Sequence, residues 1–207
     1  MSITFYTNPM SRGQIVRWAL HEVDADYEHR IVGYGDEMRG DYKRAVNPMA
    51  KVPAIDHDGR IVTECAGICA YLADVFSDAD LGPRDDERAD YYRWMFFAAG
   101  PVEAAVTNRS MGFDVVDPEK QGMVGYGSYD RMVETLDGFL AKSEYVCGDR
   151  FTMADVYLGA QVIWGTQFET LPKHDSLLAY AERLTARDAY RAAKAIDAEL
   201  MEKMGSA

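Results

Sequence analysis

The sequence predicts an α/β front half followed by an all-helical rear half. Three observations carry this: a strand–helix–strand pattern opens the chain, a hairpin and another helix follow it, and no strand pattern returns beyond a polar Gly-Pro stretch. Ile3 to Thr7 is β-branched and aromatic and reads as a strand, broken by Asn8-Pro9. Ile15, Val16, Ala19, Leu20 and Val23 then recur at helical spacing, with Ser11 at or near the helix start. Tyr27 to Val32 is a second, weaker strand, which makes a parallel βαβ unit.

Residues 33–47 are polar and predict at most a short helix around Met38 and Tyr42. Two apolar runs, 53–56 and 61–63, then flank His57-Asp58-Gly59-Arg60, and Asp-Gly between such runs signals a hairpin. A helix from Glu64 carries Cys65, Cys69, Leu72 and Phe76 on one stripe. The segment 77–84 is the strongest boundary, giving a front domain over 1–78, a linker over 79–84 and a helical domain over 85–207. The helical patterns behind it run over 87–111, from an N-terminal Asp117-Pro118 signal, over 129–139, 156–164, 177–184 and 190–201. Gly122, Gly125 and Gly127 interrupt them, and no repeat is visible.

Composition narrows the function classes. With 207 residues, 48% of them hydrophobic, the chain can bury its cores without staples. Three cysteines are too few for a disulfide framework and fit a reducing, cytoplasmic compartment. Cys65 and Cys69 share a helix face, but the four histidines are scattered, so the pair reads as small core residues and no metal is expected. No signal peptide and no apolar run long enough to span a bilayer is present. A formal charge of −12 disfavours nucleic acid and anionic membranes, and an anionic ligand would need local cations.

Three local features stand out. Residues 47–53 (NPMAKVP) form a loop framed by prolines, and a trans Pro53 is the default because only about 5–6% of X–Pro bonds are cis. Glu64-Cys65 opens a helix, where backbone N–H groups can meet an anion; it also reads as an ordinary acidic first turn. Thr152-x-x-Asp155, with Phe151 and Val156 as a staple, is a structural capping box whose loss costs about 1 kcal/mol.

Taken together and in this order, Lys51-Val52-Pro53, Glu64-Cys65 and Thr152-x-x-Asp155 resemble the cytosolic glutathione transferases, in a bacterial-type member. The resemblance covers essentially the whole chain. It implies a thioredoxin-like front domain, a helical-bundle rear domain, glutathione as co-substrate and a cytoplasmic homodimer. It implies a cis Pro53 with Val52 facing the cysteinyl part of glutathione. Glu64 would meet the γ-glutamyl ammonium, the Cys65 N–H the carboxylate, and Lys51 the glycyl carboxylate, with Arg12 and Arg17 adding positive potential. Cys65 stands where most members have Ser and lacks that hydroxyl donor.

For the group that activates the thiol, the resemblance points to the stretch 6–13, which holds no Cys. Ser11 is the first choice, with Asn8 and Tyr6 as alternatives, and Ser11 reads equally as a helix cap. Lowering a thiol pKa by roughly two units needs about 2.7 kcal/mol. A hydrogen bond to a charged group supplies ~1.5–3 kcal/mol and a helix N-terminus ~0.3–1 kcal/mol. The implied activity is conjugation of the glutathione thiolate to small apolar electrophiles, as in detoxification. These would lie between the domains against the helix carrying Tyr91, Tyr92, Met95, Phe96 and Ala99, with Trp164 nearby. Alternatives on the same fold are a glutathione-dependent peroxidase, reductase, dehalogenase or isomerase, or a non-catalytic binding or scaffold protein.

Overall fold

A computed structural model describes residues 2–205, which form two compact units: residues 2–82 with 186–205, and residues 83–185. The first unit is built on β1 (Ile3–Thr7), α1 (Gly13–Glu22), β2 (Tyr27–Ile31), the short α2 (Lys43–Ala45), β3 (Ala54–His57), β4 (Arg60–Thr63) and α3 (Cys65–Val75). The sheet order is β2-β1-β3-β4, with β1 parallel to β2 and the other two pairs antiparallel. The β3–β4 turn is the expected two-residue one: Asp58 and Gly59 both have positive φ, as a type I′ turn requires.

The alternation in β1 decides which residues build this core. Ile3, Phe5 and Thr7 are buried, and Phe5 joins Ile15, Leu20, Ile55, Ile68 and Leu72 with essentially no exposed surface. Each such side chain contributes roughly 1.5–3 kcal/mol of burial. Cys65 and Cys69 are both buried on α3, as small core residues should be. Met38 and Tyr42 are buried too, but their turn is a π-type segment broken at Gly40 rather than a regular helix.

The second unit holds α4 (Arg88–Phe97), α5 (Glu103–Ser110), α6 (Pro118–Gln121), α7 (Tyr129–Leu140), α8 (Met153–Gln167) and α9 (Asp175–Thr185). Helices α4 and α5 are joined through a π-type turn over 98–102 that contains Pro101. Proline has no N–H for the regular ladder, which accounts for the widened turn. Helix α8 is buried almost all round, and its capping box at Thr152 and Asp155 is formed. Asp155 accepts hydrogen bonds from the N–H groups of Val146 and Thr152 and from the hydroxyls of Thr152 and Tyr180, at 2.7–2.9 Å. Burial nevertheless raises its pKa to about 6.

The last helix, α10 (Asp188–Gly205), follows the helical half in sequence but packs in the first unit. Side chains explain the difference from the expected 85–207 grouping. Arg17, buried between the Phe5 and Tyr27 rings, pairs with the equally buried Asp197 at 2.8 Å, so its charge is taken up in the core and not offered to a ligand as expected. Leaving either of two such charges alone in the core would cost about 3–5 kcal/mol.

Candidate functional site

The sheet brings three separate segments to one end. Tyr6 pairs with Ala54, and Ala54 with Thr63. Chain direction then carries the 8–12 turn, residues 51–53 and residues 64–65 past that same edge of the ladder. Helix α1 starts close against β1: a Cβ at Gly13 would lie 2.0 Å from Thr7 Oγ1. The Cys65 thiol donates to the Arg12 carbonyl at 3.6 Å, which joins the α3 start to the 8–12 turn.

The loop before Pro53 is held from below. Tyr42 Oη and Asn47 Nδ2 donate to the Lys51 carbonyl at 2.6 and 2.9 Å, and Asn47 Oδ1 accepts the Met49 N–H. Burial pushes the Tyr42 phenol up to about 12, so it stays a donor. The Val52–Pro53 bond is cis, as the resemblance implied and against the general trans default of X–Pro bonds. Val52 makes no backbone hydrogen bond to any described residue. Lys51 is exposed, and its ammonium meets no carboxylate among the described residues.

Glu64 is the most unusual residue of the group. Its φ of 65° and ψ of 119° are strained for a side-chain-bearing residue. It is exposed, and its carboxylate has no partner among the described residues. No side chain caps the first turn of α3 behind it. A carboxylate thus stands beside a helix N-terminus that attracts negative charge. The two together complement a zwitterion: an ammonium for Glu64 and a carboxylate for the helix.

The 8–12 turn is tightly bonded. Ser11 Oγ donates to the Asn8 carbonyl at 2.6 Å and accepts the Gly13 N–H at 2.9 Å. Ser11 therefore serves the helix start, although Arg12 occupies the cap position itself. Asn8 is fully buried; its Nδ2 donates to the Val32 carbonyl and its Oδ1 accepts the Met10 N–H. Tyr6 lies on the other face of β1, its ring 5.6 Å from that of Tyr42, lining an open cavity of about 760 Å³. Arg12 is exposed beside this turn.

In the second unit, Tyr91 and Met95 are buried in the core while Tyr92 and Phe96 are exposed and stacked on one another. Ala99 and Trp164 are half-buried. Burial raises the Cys147 thiol to about 11, so it is protonated and a poor nucleophile at neutral pH. Among the described residues no group of three or more His, Cys, Asp or Glu could hold a metal, and no helix is long and apolar enough to cross a membrane. Two contributors escaped the sequence reading. Asn47 had a signal, since Asn before Pro favours an Asx turn; Gln14, which donates to the Pro9 carbonyl at 2.5 Å, had none.

Residues 5–80 match the family model for the glutathione S-transferase N-terminal domain. Glutathione S-transferase hmp2 of Hypomyces subiculosus is 29% identical over 177 residues, spanning 76% of this chain and 79% of its own. A probable maleylacetoacetate isomerase of Caenorhabditis elegans is 27% identical over 158 residues, spanning 74% and 73%. The crystal structure of a glutathione transferase from Methylococcus capsulatus superposes with a TM-score of 0.76 at 27% identity, covering 95% of this chain and 98% of that one. The four-stranded unit is the thioredoxin-like half of the glutathione transferase fold, and the chain carries a glutathione S-transferase N-terminal domain over residues 5–80.

Proposed function

We propose that this chain binds glutathione and conjugates its thiolate to small apolar electrophiles. The observation that carries the reading is Glu64, an unpaired carboxylate held at φ 65° against an uncapped helix start. In this reading Glu64 takes the γ-glutamyl ammonium, and the Cys65 N–H and its helix take the neighbouring carboxylate. Val52 pairs through its backbone with the cysteinyl residue ahead of Pro53. Lys51, supported by Arg12, takes the glycyl carboxylate and offsets the repulsion of a chain with net charge −12. The sulfur then lies at the 8–12 turn, where the Ser11 hydroxyl exchanges its bond to Asn8 for one to the thiolate; Asn8 and Tyr6 remain the alternatives.

The chemistry asks little more of the protein. The thiol releases its proton to solvent, the sulfur lone pair forms a carbon–sulfur bond, and a leaving group departs with its bonding pair. Titration calorimetry with glutathione tests the binding half. The parent should bind and Glu64→Gln should bind about tenfold more weakly, the loss of one charge-assisted hydrogen bond. Equal affinities would remove the central support. Thiol consumption measured with an aryl halide tests the transfer half.

The similarity to a probable maleylacetoacetate isomerase favours a second reading, glutathione-dependent isomerisation. The same assay separates them: an isomerase regenerates its thiol, so glutathione is not consumed as the substrate turns over. The resemblance further proposes a cytoplasmic homodimer, which light scattering in solution tests for the oligomeric half.

A further inference from the structure

Helix α10 runs antiparallel along α1. Arg187 donates two hydrogen bonds of 2.7 Å to Glu22, the Tyr190 ring meets Trp18 edge-on at 5.0 Å, and Asp197 pairs with Arg17. One contact on this seam leads beyond the two helices. The half-buried Lys194 donates to Gln14 Oε1 at 2.6 Å, and Gln14 Nε2 donates to the Pro9 carbonyl at 2.5 Å. Pro9 lies in the turn whose next carbonyl and hydroxyl partners are Asn8 and Ser11.

An ammonium can only donate hydrogen bonds, whereas a glutamine amide has a donating and an accepting end. Lys194 therefore dictates that Gln14 turns its oxygen toward α10 and its nitrogen toward Pro9. With no donor at 194 the amide loses that instruction. With an acceptor there, the amide reverses and sets its oxygen against the Pro9 carbonyl oxygen. Burial lowers the Lys194 pKa, while the Asp197 carboxylate on the same helix opposes that shift.

We propose that Lys194 is a positioning residue, which fixes the 8–12 turn through Gln14 and so aims the Ser11 hydroxyl. The aim at a sulfur rests on the glutathione reading; the fixing of the turn does not. Two readouts keep them apart: amide hydrogen exchange of a peptide spanning 8–13 in the ligand-free protein, and the pKa of bound glutathione's thiol. Lys194→Met should raise exchange about fivefold, the effect of one lost hydrogen bond, and Lys194→Glu should raise it further. Lys194→Arg should restore the parent behaviour. Arg187→Ala weakens the same helix pair elsewhere and should lower the melting temperature without moving either readout.

In a Gln14→Leu background, Lys194→Met should add nothing, because the relay is already cut. An additional effect there would mean that Lys194 acts through its charge, and would overturn the relay. Unchanged exchange in Lys194→Met would also overturn it. Raised exchange in a protein that never ionises bound glutathione would uphold the relay and sink the glutathione reading instead.

Discussion

Ser11→Ala separates two tasks of one hydroxyl. The structure assigns the first: Ser11 Oγ accepts the Gly13 N–H at 2.9 Å at the start of α1. Losing such a cap-like bond costs ~1 kcal/mol, or about 2–4 °C in melting temperature for a chain of this size. The second task is the proposed donation to a thiolate. To perform it the hydroxyl gives up the Asn8 carbonyl, a bond worth ~1 kcal/mol, for a bond to a charged sulfur worth ~1.5–3 kcal/mol. That carbonyl keeps the Ser11 N–H at 3.0 Å, so releasing it orphans nothing. The net gain is ~0.5–2 kcal/mol, with its middle close to one pKa unit. Ser11→Ala should therefore raise the thiol pKa of bound glutathione by about one unit and cut the thiolate roughly tenfold below that pKa. The assay is a pH titration of thiolate absorbance in parent and variant, with thermal melts of both. A lowered melting temperature with an unmoved thiol pKa would refute the catalytic task and leave Ser11 a cap.

Glu64→Gly should melt at least about 2 °C higher, because glycine relieves roughly 1 kcal/mol or more of strain at φ 65°, while losing glutathione affinity; unchanged affinity would count against the site. Asp155→Asn should cost about 2–4 kcal/mol in chemical denaturation, since an amide nitrogen must face one of two backbone N–H donors that cannot rotate away; a loss under about 0.5 kcal/mol would contradict the network. Glu87, hydrogen-bonded to Arg150, has its pKa lowered to about 2 from an ordinary 4.5. Its folded pKa lies below its unfolded one, so its stabilisation is full above pH 4.5 and is lost as pH falls through about 2. The stability gap between parent and Glu87→Gln should accordingly shrink across that window, and a gap independent of pH would exclude the carboxylate as its source. Asp155 titrates alike in both proteins and cancels from that comparison.

The elements legible in the sequence were those set by local pattern. The β-branched and aromatic run of β1, the helical spacing of α1 and the Asp58-Gly59 turn each depend on residues within one element, and each formed with boundaries within a residue or two. The capping box was legible for the same reason, as Thr152 and Asp155 are three residues apart. The placement of α10 was not. Gln14 and Lys194 are separated by 180 residues, as are Arg17 and Asp197, and a single sequence carries no sign of such a pairing. Chain order alone assigned residues 186–207 to the helical half.

The geometry of the candidate site could not be read from the sequence. Pro53 as written is compatible with either isomer, and Glu64-Cys65 reads as an ordinary acidic helix start. The backbone angles of Glu64 alter that second reading. Glycine would take φ 65° with ψ 119° at little cost, whereas this pair lies outside the left-handed helical region that side-chain-bearing residues occasionally visit. A glutamate there costs stability, and it returns nothing to the described fold, since its carboxylate is bonded to none of it. A side chain that is both strained and unpaired supports the proposed site, in which an ammonium group from outside the chain is the partner its charge and its exposed position suit.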